Sequence, residues 1–140
     1  MNSTLTTFNQ LNLLYQEQKK TWAQQLGLKL SQINILMLVE PQQVQISHAT
    51  LITDTKLDAS TLSRQLHVMM QDGLLVKIKG SAPRQRLYAL TDKAQQVIER
   101  LRIWQSELEQ QIQDNWSADE QQLLKILLNR YYQSFMRLKK

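Results

Sequence analysis

The 140-residue chain contains no cysteine, which rules out disulfides, thiolate metal sites and thiol redox chemistry. Its three glycines are too few for a phosphate-cradling loop, and no P-loop, G-x-S-x-G or H-E-x-x-H motif occurs. The two histidines, His48 and His67, have no acid beside them at a ligand or triad spacing. A zinc site would need three or four His or carboxylate ligands, so neither a metal nor a cofactor is expected, and the chain does not read as an enzyme. With only two prolines, little interrupts helix formation. Nowhere is there a run of about 18 apolar residues, and the start, with Asn2, Ser3, Thr4, Thr6 and Thr7, is polar, unlike a signal peptide. A cytoplasmic location is expected. The length suits one domain with a real core rather than a two-domain enzyme.

What the chain does have is a concentration of positive charge. The formal net charge is +5, and between Lys56 and Leu90 six cations (Lys56, Arg64, Lys77, Lys79, Arg84, Arg86) face two acids (Asp58, Asp72), so that quarter of the chain carries +4 of it. The same stretch has a strong local pattern. Asp58 can N-cap a helix from Ala59 to Gln71, accepting a bond from the free N–H of Ser60 or Thr61, with Leu57 and Leu62 as a hydrophobic staple. Leu62, Leu66, Met69 and Met70 recur at helical spacing, while Ser60, Ser63, Arg64, His67 and Gln71 fall largely on the opposite side. Gly73 ends the helix. Leu74, Val76 and Ile78 then alternate with Leu75, Lys77 and Lys79, and after a tip at Gly80-Ser81-Ala82-Pro83 the chain returns through Arg86-Leu87-Tyr88-Ala89-Leu90. Helix, glycine stop and two strands around a basic tip are the layout of a winged helix-turn-helix. Such a cationic field attracts phosphate, whereas the blander reading of the same residues is ordinary solvated charge.

The segment resembles the DNA-binding core of the MarR-type (multiple antibiotic resistance regulator) transcription factors. The resemblance rests on the run Ser60-Thr61-Leu62-Ser63-Arg64, the Asp72-Gly73-Leu74 turn into the wing, the wing-tip Arg84, and Leu90-Thr91 opening the next helix. It extends over nearly the whole chain, since the family has about this length and places one long helix before the core and two after it. Two positions depart from the pattern. Ala82 stands where such wings usually carry Asp, so Arg84 is expected to be less firmly held and the wing mobile before DNA binds; Ala94 replaces a common Gly. The missing cysteine separates the chain from the family's peroxide sensors.

The flanking segments fit this frame. From about Thr4 to Leu26, the residues Leu5, Phe8, Leu11, Tyr15, Trp22 and Leu26 mark an amphipathic helix stopped by Gly27. Ser31 is expected to cap a second helix, with Leu30 and Ile35 as its staple, and Pro41 to end it by disfavouring helix at Glu40. Val44-Gln45-Ile46 reads as a minor third strand. Ser47 then caps a helix from His48 to about Thr55, the first half of the helix-turn-helix, with Lys56-Leu57 as the turn. After Thr91, Ala94, Val97, Leu101, Trp104, Leu108 and Ile112 form a long apolar seam. Ser117 and Glu120 make a capping box for a last helix, whose apolar residues from Leu123 to Met136 wrap most of its circumference.

The expected fold is therefore mainly α, a winged helix-turn-helix core at about 31–91 within a single 1–140 domain, flanked by dimerisation helices at about 4–26 and 92–138. The expected function is that of a homodimeric, sequence-specific transcriptional regulator, acting as a repressor on pseudo-palindromic double-stranded DNA. Its DNA-binding residues are Ser60, Thr61, Ser63, Arg64, His67, Lys77, Lys79, Arg84 and Arg86. The resemblance further implies that a small hydrophobic or aromatic effector changes DNA affinity, binding between the dimer helices and the core. Two other readings stay open: a winged-helix module that docks an acidic protein, and a nonspecific architectural DNA binder. A monomer with a three-helix cap is the alternative to the dimer.

Overall fold

A computed structural model describes residues 2–40 and 42–138, and among them are six helices and three strands. The chain divides into two compact units at Arg102 and Ile103. None of the helices is long and apolar enough to cross a membrane among the described residues.

In the first unit, Ser3 caps α1 (Thr4–Leu26) by accepting from the Thr6 N–H, and Gly27 closes it at φ 69°, the left-handed conformation that costs glycine least. The far end of α1 anchors it: Trp22 and Ala23 are buried, whereas Leu5, Leu11, Leu13 and Leu14 are exposed in the single chain. Lys19 ties this end to α2 (Leu30–Leu36), its Nζ lying 2.8 Å from Asn34 Oδ1 and 4.5 Å from the centre of the Tyr15 ring. Burial lowers the Lys19 pKa. The second helix begins earlier than Ser31, which is not its cap. Gln32 reaches back instead, its Oε1 accepting the Lys29 N–H at 2.8 Å, and its own amide donates to Asp72 at 2.7 Å. That second bond links residues forty positions apart and leaves no isolated polar group at a site where Gln32 is 2% exposed. The helix proper stops at Leu36 and turns continue to Val39. Pro41, expected to stop it, lies outside the described residues.

Strand β1 (Gln45–Ser47) starts one residue later than the alternation suggests. Ser47 then caps α3 (His48–Thr55), accepting the Thr50 N–H at 3.0 Å, and Leu51 is fully buried. Lys56 turns the chain at φ 59°, and Asp58 opens α4 (Ala59–Gln71) as the cap pattern predicts. Leu62, Leu66 and Met69 bury one stripe of α4 among α2, α3 and the first wing strand. Gly73, at φ 75°, passes the chain to β2 (Leu75–Lys79), which is followed by β3 (Arg86–Leu90).

The sheet is antiparallel in the order β1-β3-β2, with Leu75 opposite Leu90, Lys77 opposite Tyr88 and Ile46 opposite Tyr88. Directly opposed residues share a face, so Leu75, Tyr88, Leu90 and Ile46 make the buried side. Of the two alternating sets in β2, the one containing Leu75, Lys77 and Lys79 therefore faces the core, while Val76 is exposed on the other side. Leu74 is buried too, but as part of the turn. Thr91 locks that turn onto α5 (Asp92–Ile112): its hydroxyl donates to the Gly73 carbonyl at 2.6 Å and accepts the Ala94 N–H at 3.1 Å. Ala94, Val97, Ile98 and Leu101 complete this unit's core, and Arg102 donates to the Val39 carbonyl.

In the second unit the last part of α5 is followed by α6 (Ala118–Met136). The expected capping box is present, with Ser117 and Glu120 exchanging bonds of 2.9 and 3.1 Å. No α6 residue is buried.

His48, the first residue of α3, is buried and shares a 2.9 Å hydrogen bond with the Tyr88 hydroxyl, joining the start of α3 to the central strand. Burial, then the charges of Arg86 and Lys77, lower its pKa below 6.5, and burial raises that of Tyr88. Below about pH 6.5 the unfolded chain therefore takes up a proton that the folded one resists, and stability declines as the pH drops. The midpoint of urea unfolding should drop between about pH 7.5 and 5.5, and His48→Gln should flatten that dependence. The sheet face is checked in the same way: Leu75→Ala should cost about 2–5 kcal/mol and Val76→Ala within about 0.5 kcal/mol.

Candidate nucleic-acid interface

Burying Leu62, Leu66 and Met69 leaves the other side of α4 in water, and Ser60, Ser63, Arg64, His67 and Gln71 are all exposed there. This one face thus brings together the helix residues singled out from sequence; Thr61 alone is half-buried.

At the start of the helix, the Asp58 carboxylate accepts three hydrogen bonds. One oxygen accepts the Thr61 N–H at 2.8 Å and the Ser60 hydroxyl at 2.7 Å, and the other accepts the Thr61 hydroxyl at 2.8 Å. The Thr61 N–H, then the Ser60 and Thr61 hydroxyls, pull the Asp58 pKa down from 3.8 to about 2. The carboxylate thus stays ionised, and the help it gives the helix terminus is lost only as pH falls from about 4 towards 2. Ser60 and Thr61 give their protons to this cap, so in this state they present oxygen lone pairs rather than donors to an approaching group. Arg64 leans back along the helix, with Nη2 3.3 Å from Thr61 Oγ1. Its other guanidinium donors have no partner among the described residues, and neither does the His67 ring.

The wing supplies the second cluster. Lys77, Lys79 and Arg86 are exposed on the same sheet face as Leu75 and Tyr88, the face turned towards the helices, with Lys79 opposite Arg86 at the end of the ladder. Their field reaches inwards, since Arg86 and Lys77 both disfavour a proton on His48. Arg84 is exposed at the tip, and its side chain has no hydrogen bond or ion pair among the described residues. Ala82 offers it none, as the sequence suggests. The backbone beneath it is hydrogen-bonded: the Gln85 N–H donates to the Ala82 carbonyl at 3.1 Å, closing a turn with Pro83 and Arg84 in the middle. The side chain of Gln85 accepts further hydrogen bonds from Ser81 and Ala82.

Sequence pattern alone missed two parts of this surface, the Asp58 hold on both hydroxyls and Gln85, and the buried His48–Tyr88 bond behind it. The only signal for Gln85 was its place two residues after Pro83 and five after Gly80. Among the described residues no group of three or more His, Asp or Glu could hold a metal ion. Chemically, the surface offers cations and hydrogen-bond groups on an exposed helix beside a cationic loop, a combination suited to polyanions.

No family model and no curated protein matches the chain. Solved structures do. A protein from Listeria monocytogenes assigned to the MarR family of transcriptional regulators, complexed with 26mer DNA, superposes with a TM-score of 0.82 at 18% identity, covering 96% of this chain and 89% of that one. A MarR protein from Peptoclostridium difficile gives 0.81 at 19% identity, with 96% and 89% covered. The apo form of wild-type MarR from E. coli gives 0.75 at 19% identity, with 94% and 97% covered. At such identities the likeness is one of fold, and it includes the helices on both sides of the winged core as well as the core itself. Over nearly its whole length the chain has the fold of the MarR-family transcriptional regulators.

Proposed function

We propose that the protein is a homodimeric, sequence-specific DNA-binding regulator of transcription, a repressor rather than an enzyme, which works on pseudo-palindromic DNA in the cytoplasm. The observation that carries the reading is the exposed polar face of α4 set beside a cationic wing, in a fold shared with a regulator whose structure contains DNA. In this reading α4 enters the major groove. Arg64 makes a bidentate contact to guanine, and Ser60, Thr61, Ser63 and His67 position the helix. Thr61 and Ser60 would have to release Asp58 in order to donate to phosphate. Arg84 sets the wing on the flanking backbone or in the minor groove, with Lys77, Lys79 and Arg86 behind it.

The winged core, at about 31–91, acts in this scheme as the reading head of a single 1–140 domain, and the helices at about 4–26 and 92–138 as its dimerisation elements. The exposed apolar side chains support this. Leu123, Ile126, Leu127, Tyr131, Tyr132 and Phe135 of α6 are 38–58% exposed in the single chain, as are Leu5 and Leu11 of α1. So much apolar surface is costly in water, and a two-fold partner is the commonest way to cover it. A small hydrophobic or aromatic effector bound between the dimer helices and the core, the part of the reading that rests on resemblance, would change the affinity for DNA.

A mobility shift with the protein's own upstream region against scrambled DNA tests the function. Selective binding is expected; equal binding would make the protein architectural, and no binding a protein-docking module. Sedimentation at micromolar concentration should show a dimer, and removing the chain from Leu123 onward should abolish both dimer and specific binding. Within the interface, Arg64→Ala should lose about 1–3 kcal/mol on the correct site and much less on random DNA. Arg84→Ala should weaken all sequences and make the salt dependence shallower by about one unit for each phosphate that Arg84 neutralises. Equal loss on specific and random DNA for Arg64→Ala would overturn the assignment of α4.

A further inference from the structure

The wing loop, residues 80–85, is held by one side chain. The Oε1 of Gln85 accepts the Ser81 N–H at 3.0 Å, the Ser81 hydroxyl at 3.0 Å and the Ala82 N–H at 3.4 Å, while the Gln85 N–H donates to the Ala82 carbonyl at 3.1 Å. The backbone turn spans Ala82, Pro83, Arg84 and Gln85. Pro83 presets the first central φ, and Arg84 is not among the residues of positive φ, which makes the turn type I rather than type II. Gly80 is fitted to the same arrangement. A Cβ there would lie 2.7 Å from the Gln85 Cβ, 2.8 Å from Oε1 and 2.9 Å from the Gln85 carbonyl, so any larger residue must displace Gln85. An exposed six-residue loop with two of its amides and a hydroxyl gathered on one oxygen has lost backbone freedom in advance.

We propose that Gln85 is the positioning residue of the wing: its side-chain carbonyl fixes the loop in the free protein, so that Arg84 meets a nucleic-acid phosphate without first ordering the turn that carries it. The proposal rests on the DNA-binding reading above. Gln85 contributes no charge and need not touch DNA; its effect passes through the conformation of the loop. Loss of Gln85 should therefore cost affinity only where Arg84 is present to benefit.

The full chain with Gln85→Ala, Gln85→Glu, Gly80→Ala, Arg84→Ala and the Gln85→Ala/Arg84→Ala pair provides the test, with amide exchange of the free proteins and affinity for a short random-sequence duplex at low salt as readouts. The wild-type Ser81 and Ala82 amides should be protected, should lose protection in Gln85→Ala and Gly80→Ala, and should regain it in Gln85→Glu, which keeps the accepting oxygen. Gln85→Ala should bind the duplex roughly tenfold more weakly, the scale of ordering about one residue of backbone, with the salt slope of the wild type because no cation is removed. In the Arg84→Ala background the same change should have little effect. Unchanged protection in Gln85→Ala, or additive losses in the pair, overturns the proposal while leaving DNA binding intact. A wild-type protein that does not bind the duplex overturns the DNA reading and the purpose given to Gln85 with it, and the amides alone then show whether Gln85 holds the loop.

Discussion

Everything in the candidate interface depends on the burial of one stripe of α4. Leu62 and Met69 are wholly inaccessible and Leu66 nearly so, and together they fix the rotation of the helix about its own axis. Because side chains three and four apart lie on one face, fixing that rotation also fixes which residues meet solvent. A slip of one position would carry His67 into the buried site of Leu66, where an unpaired imidazole is costly. The apolar stripe is thus what presents the polar face. α2 and α3 close over it, and the Gln32–Asp72 bond ties the end of α4 to α2 at a second point.

The wing is fixed to the same body by different chemistry. Thr91 bonds back to Gly73 at one end, and His48 bonds to Tyr88 across the sheet, so the strands are anchored at their base by buried or half-buried polar groups. Towards the tip the buried face runs out and cations take over, with Lys77, Lys79 and Arg86 continuing the line that Leu75 and Tyr88 begin. One sheet face therefore changes from packing surface to charged surface along its length. The transition is felt at His48, where desolvation and neighbouring cations both oppose protonation. At the start of α4 the Asp58 carboxylate keeps its charge and accepts three hydrogen bonds from Ser60 and Thr61.

The second unit follows another rule. Its helix α6 is well specified locally, by a capping box and good helix formers, yet none of its residues is buried. The capping box sets where the helix begins, and its apolar side chains are exposed in the single chain.

Much of this was legible in the residues. Asp58, Ser47 and Ser117 announce three helix starts because a short oxygen-bearing side chain before an apolar repeat has few other uses, and Gly27 and Gly73 announce the stops because only glycine takes φ near +70° at little cost. The polar face of α4, the wing and its charge followed from periodicity alone. What periodicity could not provide was any fact depending on two distant segments at once. Ser31 had the look of a cap, but Gln32 took the role because its amide could also reach Asp72. The alternation of β2 has two equally regular phases, and only pairing with β3 decided that Leu75 and not Val76 faces the core. His48 became a buried partner of Tyr88 because strand register placed a phenol beside it. Sequence by itself determined the elements, since caps, stops and repeats act within a few residues. Tertiary structure decided strand phase and the buried polar pairs, because each requires a donor and an acceptor, or two apolar faces, brought together by the packing of the rest.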